Sequence, residues 1–143
     1  MKFAKWVFTI AGVYGILGLT PQYFMESRIG HDFPPPITHP EHFYGFVGVA
    51  LAWQVMFLLI ARDPARLRPA MLPGILEKLS FGIAALLLFT QGRIAALLVV
   101  FGAIDLLFAL LFFVAWRKTT TANYPISTSQ ASSGISPRRT ASS

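Results

Sequence analysis

Side chains able to do chemistry are few in this chain, and they fall into two sets. All three histidines, His31, His39 and His42, lie with Asp32 and Glu41 in the stretch HDFPPPITHPEH, residues 31–42. Imidazoles and carboxylates so grouped suit a divalent cation such as zinc: His39 and His42, three apart on a helical turn, can share a face while His31 or Asp32 folds back to complete the set. The second set, Tyr14, Gln54, Glu77, Lys78 and Asp105, is scattered through apolar sequence. Polar groups in such surroundings serve as a structural clasp of hydrogen bonds, as a ligand or proton site, or as a contact with another membrane subunit. There is no cysteine, which removes thiol nucleophiles, disulfide exchange and cysteine-held zinc or iron–sulfur centres.

The elements that must position these residues follow from composition. Hydrophobic residues make up 55% of the 143 and charged ones only 13%, with the charges gathered into short segments between long apolar stretches. That is the composition of a membrane domain. A hydrocarbon core of about 30 Å needs about 20 helical residues, and four stretches approach this: 3–20, 43–61, 73–91 and 94–116. The uncharged part of the third is only residues 79–90, so it spans only with Glu77 and Lys78 inside the helix near one membrane face. The expected fold is all-α, an integral membrane four-helix bundle.

Basic residues orient it, because loops on the cytoplasmic side keep the excess of lysine and arginine. Lys2 and Lys5 precede the first span, Arg62, Arg66 and Arg68 lie between the second and third, and Arg117, Lys118, Arg138 and Arg139 follow the fourth. Arg28 and Arg93 fall on the other side, so both termini are expected in the cytoplasm. This bias argues against insertion in both directions. Lys2 and Lys5 before an apolar run also resemble a signal peptide, but no Ala-x-Ala site follows and the run nearly reaches spanning length, so a retained anchor is expected.

In the outer loop, residues 21–42, three prolines (Pro34 to Pro36) enforce an extended strap. Thr38, His39, Pro40 and Glu41 read as a helix start, with Thr38 as cap and Glu41 at the reciprocal capping-box position. That role accounts for Glu41 without a metal, and solvated histidines are the simpler expectation for His31, His39 and His42. In the inner loop, Asp63 and Pro64 form a cap and first-position pair that predicts one helical turn before Pro69 and Pro73 restart the chain. Its arginines serve topology and anionic headgroups alike. From residue 119 onward, serine, threonine, proline and glycine dominate, and disorder is expected. The single SPRR at residues 136–139 carries no function, and no nucleic-acid partner is expected.

Asp105 is the most informative position, eleven residues from either end of its span. An aspartate near the bilayer centre costs about 2.5 to 3.5 kcal/mol on insertion scales, so it must face other helices and be protonated or paired. Gly102 and Ala109 share its face and would admit a neighbouring backbone. By depth, Tyr14 and Gln54 can converge with Asp105, although Gln54 lies opposite the small-residue stripe Gly45, Gly48 and Ala52. Lys78 either snorkels to water or reaches toward Asp105, and Glu77, about 100° around the helix from it, can meet the loop arginines instead. Gly12, Gly15 and Gly18 in the first span, like Gly45 and Gly48 in the second, are expected to pack helices, Trp6 and Trp116 to anchor at interfaces, and Trp53 to lie in the core.

The segments HPEHFYGFVGVALAWQ, IARDPARLRP, LPGILEKLSFG and FGAIDLLFALLF resemble small bacterial four-helix membrane proteins of the DoxX-like kind, more particularly the BphX-like group associated with aromatic-degradation operons. The likeness is one of layout over residues 1–118 and transfers no site residue. DoxX relatives that partner quinone-linked oxidoreductases imply an accessory membrane subunit. The residues themselves give no nucleophile, base pair or convincing metal set on facing helices, so a non-catalytic component is expected. It would be an accessory subunit or a binder of small hydrophobic molecules. The alternative is an oligomeric proton-coupled carrier or channel using Asp105. An intramembrane redox enzyme would need histidines on facing helices to hold haem, and all three lie near one surface. The expected partners are the lipid bilayer and another membrane subunit or further copies of the chain; no cofactor is expected.

Overall fold

A computed structural model describes residues 1–120. It contains five α-helices: α1 (Lys2–Leu19), α2 (Glu26–Asp32), α3 (Pro40–Arg62), α4 (Met71–Thr90) and α5 (Ala96–Lys118). A 3-10 turn, Thr20–Phe24, extends α1, and another, Arg68–Ala70, leads into α4. With these turns, four segments of 23 residues are long and apolar enough to cross a membrane: Lys2–Phe24, Pro40–Arg62, Arg68–Thr90 and Ala96–Lys118. At about 1.5 Å per residue each covers the roughly 30 Å of a hydrocarbon core. The chain is therefore an all-α, multi-pass membrane bundle, and Glu77 and Lys78 lie inside its third span as expected.

Local chemistry explains where the helices begin and end. Pro40 occupies the first position of α3, which makes His39 the cap, without a side-chain bond. The expected cap at Thr38 is thus displaced by one residue. With His39 at the cap, the third helical position is His42, so Glu41 cannot bond back to the cap and its carboxylate instead meets His39 Nδ1 at 3.2 Å. In the inner loop Asp63 behaves as its sequence suggests, its Oδ1 accepting from Arg66 N (3.1 Å) and its carbonyl from Leu67 N (3.0 Å). Pro69 and Pro73 follow at helix starts, where a missing N–H leaves no bond unmade. Gly92 ends α4 at φ +68. Its N–H donates to Phe89 O (2.9 Å) and that of Arg93 to Leu88 O (2.9 Å), a paired closure that needs a left-handed residue.

The outer loop is more structured than a bare strap. α2 forms within it, the proline segment folds back over Gly30, and the Tyr44 hydroxyl donates to Glu26 Oε2 at 2.7 Å. A Cβ on Gly30 would lie 3.3 Å from Pro36 Cα and Ile37 N, so the bare glycine admits the strap.

Around the bundle the helices run α3, α1, α5, α4, each packed on the next, while α3 and α4 barely meet. Glycines set the two closest approaches. A Cβ on Gly12 would fall 2.9 Å from Gln54 O, and one on Gly82 would fall 3.0 Å from Gly102 O. Ala85 and Ala109 continue the second seam with small buried side chains. Gly18 and Gly45 have nothing within 4 Å, so their expected packing role is not found.

Toward one end the centre fills with aromatic rings. Phe8 stacks on Phe112 (centroids 4.1 Å), and Phe57 meets Phe112 edge-on (4.9 Å). Both ends of the described chain lie beyond this cluster, with Lys118 Nζ 5.1 Å from the Phe3 ring. Arg68 closes the same end, its Nε donating to Trp116 O (3.2 Å) and its guanidinium 4.7 Å from the Trp116 ring. Trp6 is exposed, while Trp53 is half-buried and packs against the core. Thr119, expected to begin the tail, is buried, and its hydroxyl donates to Ala115 O at 2.8 Å. Residues 121–143 of the expected disordered tail lie outside the described residues.

Candidate functional site: a buried acid–base cluster beside a groove

The Gly82–Gly102 approach brings α4 and α5 together one turn from Lys78 on one helix and from Asp105 on the other. That proximity sets the two side chains across from each other. Lys78 Nζ lies 3.3 Å from Asp105 Oδ1 and 3.3 Å from Glu77 Oε2. The lysine side chain is 6% exposed, so it does not snorkel to water. Its ammonium also stands 5.4 Å from the centroid of the Phe57 ring on α3, within reach of the ring's negative face. Three groups from three helices thus surround one positive charge.

The cluster holds two carboxylates and one ammonium. With all three ionised it carries one surplus negative charge inside a low-dielectric layer, an arrangement that draws in one further positive charge. Glu77 shows the same deficit at the atomic level. Lys78 Nζ donates to Glu77 Oε1 at a long 3.5 Å, while the buried Oε2, within ion-pair distance of the same ammonium, receives no hydrogen bond among the described residues. Ser80 does not relieve it, since its hydroxyl donates to Glu77 O at 2.9 Å.

Glu77 lies at the wall of a groove of about 680 Å³ between α3 and α4, the two helices that fail to close on each other. Phe46, Val49 and Trp53 form its α3 side, and Leu76 and Phe81 its α4 side, with Ser80 and Glu77 between them. Phe46 and Phe81 approach to 6.4 Å between ring centroids. Toward the chain ends, a Cβ on Gly74 would come 3.0 Å from Phe57 Cε1, so the two helices do touch there. Glu41 and His42 also line the groove.

Of the five polar residues singled out in the spans, the structure brings Glu77, Lys78 and Asp105 together, places Tyr14 near Asp105 without a hydrogen bond between them, and leaves Gln54 apart. Gln54 turns to α1, packs its side chain on Gly15, and donates to Ala50 O (2.9 Å) of its own helix, with Oε1 buried and unpartnered. Tyr14 is 38% exposed on a different face of α1, its ring 5.9 Å from Phe108, and makes no side-chain hydrogen bond among the described residues. Equal depth did not imply a shared face. Among the described residues Glu77 forms an ion pair with Lys78 and with none of the loop arginines, and Arg68 is engaged by Trp116. Asp105 is paired with Lys78 within the chain. Sequence reasoning missed the Phe57 ring and the groove-facing position of Trp53. The spacing of Lys78 to Gly82 and of Gly102 to Asp105 was the signal for the pair, since each glycine sits one turn from a charge.

The histidine set separates. His39, Glu41 and His42 place one candidate ligand atom each within 4.8 Å of one another, all exposed. His31 leaves them: on α2 its Nδ1 lies 3.1 Å from Asp32 Oδ1, and Arg28 Nε stands 3.5 Å from Asp32 Oδ2. The fold-back of His31 or Asp32 that would complete a metal set is not formed, and the three histidines are exposed. The hydrogen bond with His31, aided by Arg28, holds the Asp32 carboxyl below its usual range.

No protein-family model, curated protein or solved structure matches the chain. The structure defines its class, an all-α multi-pass membrane bundle, and function is argued from the cluster and the groove alone.

Proposed function

We propose that this chain is a non-catalytic membrane component that binds small hydrophobic molecules entering sideways from the bilayer into the groove between α3 and α4. The observation that carries the reading is the groove itself: about 680 Å³ of apolar-walled space with a single internal polar spot at Glu77 and Ser80. Ligand sites have this make-up, apolar walls for affinity and a few polar groups for orientation. Its aromatic walls and its opening toward lipid favour flat, membrane-soluble guests. The excess of basic residues at the end carrying the termini supports a cytoplasmic location for both, in a bacterial inner membrane. The DoxX-like layout is compatible with such a chain serving as an accessory subunit.

The surplus carboxylate favours a second reading, in which the protein moves a proton with its guest, as an oligomeric carrier would. Trp53 offers a direct test. In a variant with Trp6 and Trp116 replaced by phenylalanine, Trp53 is the sole tryptophan. Adding the neutral dye N-phenyl-1-naphthylamine to the protein in nanodiscs should quench Trp53 saturably, whereas the same titration should leave Trp6, studied alone, unchanged. Equal, unsaturable quenching of both would mean that the dye only partitions into lipid, and the reading would fail.

A further inference from the structure

The charge of the groove points to a narrower class of guest. Although the chain has twelve lysines and arginines against six acidic residues, the described residues that line the groove include Glu41 and Glu77 and no lysine or arginine. Three aromatic residues, Phe46, Trp53 and Phe81, stand on the same walls. Acidic groups among aromatic faces favour a cation over a neutral molecule or an anion. Behind the wall, Lys78, itself 6% exposed, supplies one positive charge to two carboxylates, and Glu77 Oε2 is buried without a hydrogen bond. Neutrality inside the bilayer therefore calls for one more positive charge at Glu77, and a proton or a bound cation supplies it equally well.

We propose that the α3–α4 groove binds a singly charged lipophilic cation, such as a hydrophobic amine or quaternary onium ion, in exchange for one proton held by the Glu77–Lys78–Asp105 cluster. The inference rests on the groove being a ligand site and adds the guest's charge and its coupling to protons. No bond to carbon forms or breaks: the guest arrives with its charge, the shared proton leaves to water, and net charge is conserved. The groups that face Glu77 are few. Lys78 comes from its own helix, Asp105 from α5, and Phe57 from α3, while Tyr14 of α1 lies near Asp105 and Glu41 and His42 line the same groove.

Competition between one proton and one cation fixes the outcome. Affinity should rise with pH by up to about tenfold per unit while the proton is bound, then level off. The probe is tetraphenylphosphonium, with tetraphenylborate as an anion of like shape and N-phenyl-1-naphthylamine as the neutral guest. All are titrated against the full chain carrying Trp6→Phe and Trp116→Phe in nanodiscs of neutral lipid, with Trp53 fluorescence as readout and calorimetry in buffers of different ionisation enthalpy to count protons. The phosphonium should bind at least tenfold tighter than the borate, tighten as pH rises, and release up to one proton. Glu77→Gln leaves one acid and one base in the cluster, so the fold keeps a balanced pair while the cation preference and pH dependence disappear; Glu77→Asp keeps both. Circular dichroism and elution profile check that each variant folds. Dye binding without preference for the phosphonium, or a preference that survives in Glu77→Gln, overturns the exchange and leaves the groove reading standing. Failure of all three probes to bind overturns both.

Discussion

Replacing Lys78 with methionine tests whether charge, rather than shape, holds the cluster together. Methionine keeps the length and apolar stem of the side chain above Phe57, so packing changes little. In the native protein the ammonium, 3.3 Å from Asp105 Oδ1 and 3.3 Å from Glu77 Oε2, balances one of the two carboxylates. In the variant that carboxylate must be protonated as well. Holding a carboxyl of ordinary pKa near 4 in its neutral form at pH 7 costs about 4 kcal/mol, at about 1.4 kcal/mol per pH unit. This agrees with the roughly 3 to 5 kcal/mol lost when one partner of a buried ion pair is removed. The sign follows from proton counting: the folded variant holds one more proton, relative to its unfolded state, than the native protein does. Its deficit therefore shrinks as pH falls, from about 4 kcal/mol at pH 7 to about 1.4 kcal/mol at pH 5. Unfolding by sodium dodecyl sulfate, followed by circular dichroism at several pH values, measures this. The triple variant Glu77→Gln, Lys78→Met, Asp105→Asn has no charge left to balance and should lose the pH dependence. A pH-independent loss below about 1 kcal/mol for Lys78→Met would refute charge balance as the basis of the cluster.

Gly82→Val should destabilise by about 2 kcal/mol or more, because its Cβ would meet Leu106 Cγ at 2.6 Å and Gly102 O at 3.0 Å; Gly18→Val, with nothing within 4 Å, should be nearly silent in the same unfolding assay. Gly92→Ala forces φ +68 on a residue with a side chain and should cost about 1 kcal/mol, with faster hydrogen exchange confined to the last turn of α4. His31→Ala removes the main support of the Asp32 carboxylate, so the Asp32 titration midpoint, read by carbon-13 NMR, should move upward toward the usual value. Because folding depresses that carboxyl, whatever stability it contributes is present above the unfolded midpoint and is lost as pH falls through the folded one.

The spans were legible because lipid imposes a length and a composition that few sequences meet by chance, and Asp105 stood out for the same reason. The Lys78–Asp105 pair was legible in part. Depth placed both residues inside the bundle, and small residues at Gly102 and Ala109 marked the face that α4 would approach. Gln54 was misjoined to that pair because rise along a helix fixes height but not rotation. The steric demand that decided rotation, bare backbone at Gly12 and Gly15 facing Gln54, emerges only when α1 and α3 are packed. The groove was not legible, since it exists where α3 and α4 fail to meet, and no residue type announces a missing contact. At the start of α3, two capping patterns overlapped, and the fixed φ of Pro40 chose between them.

The central claim is that Lys78 and Asp105 meet inside the bundle, and the chain composition allows one distance to test it. Among the described residues Lys78 is the only lysine within 4.0 Å of an aspartate carboxylate, and residues 121–143 contain neither type. Protein labelled with nitrogen-15 at every lysine Nζ and carbon-13 at every aspartate Cγ, reconstituted in lipid, should show strong rotational-echo dephasing from a single pair about 4 Å apart, as a charge-assisted contact requires. Asp105→Asn, which takes no label, should abolish it. Absence of short-range dephasing in the native protein, or its persistence in Asp105→Asn, would contradict the cluster and everything built on it.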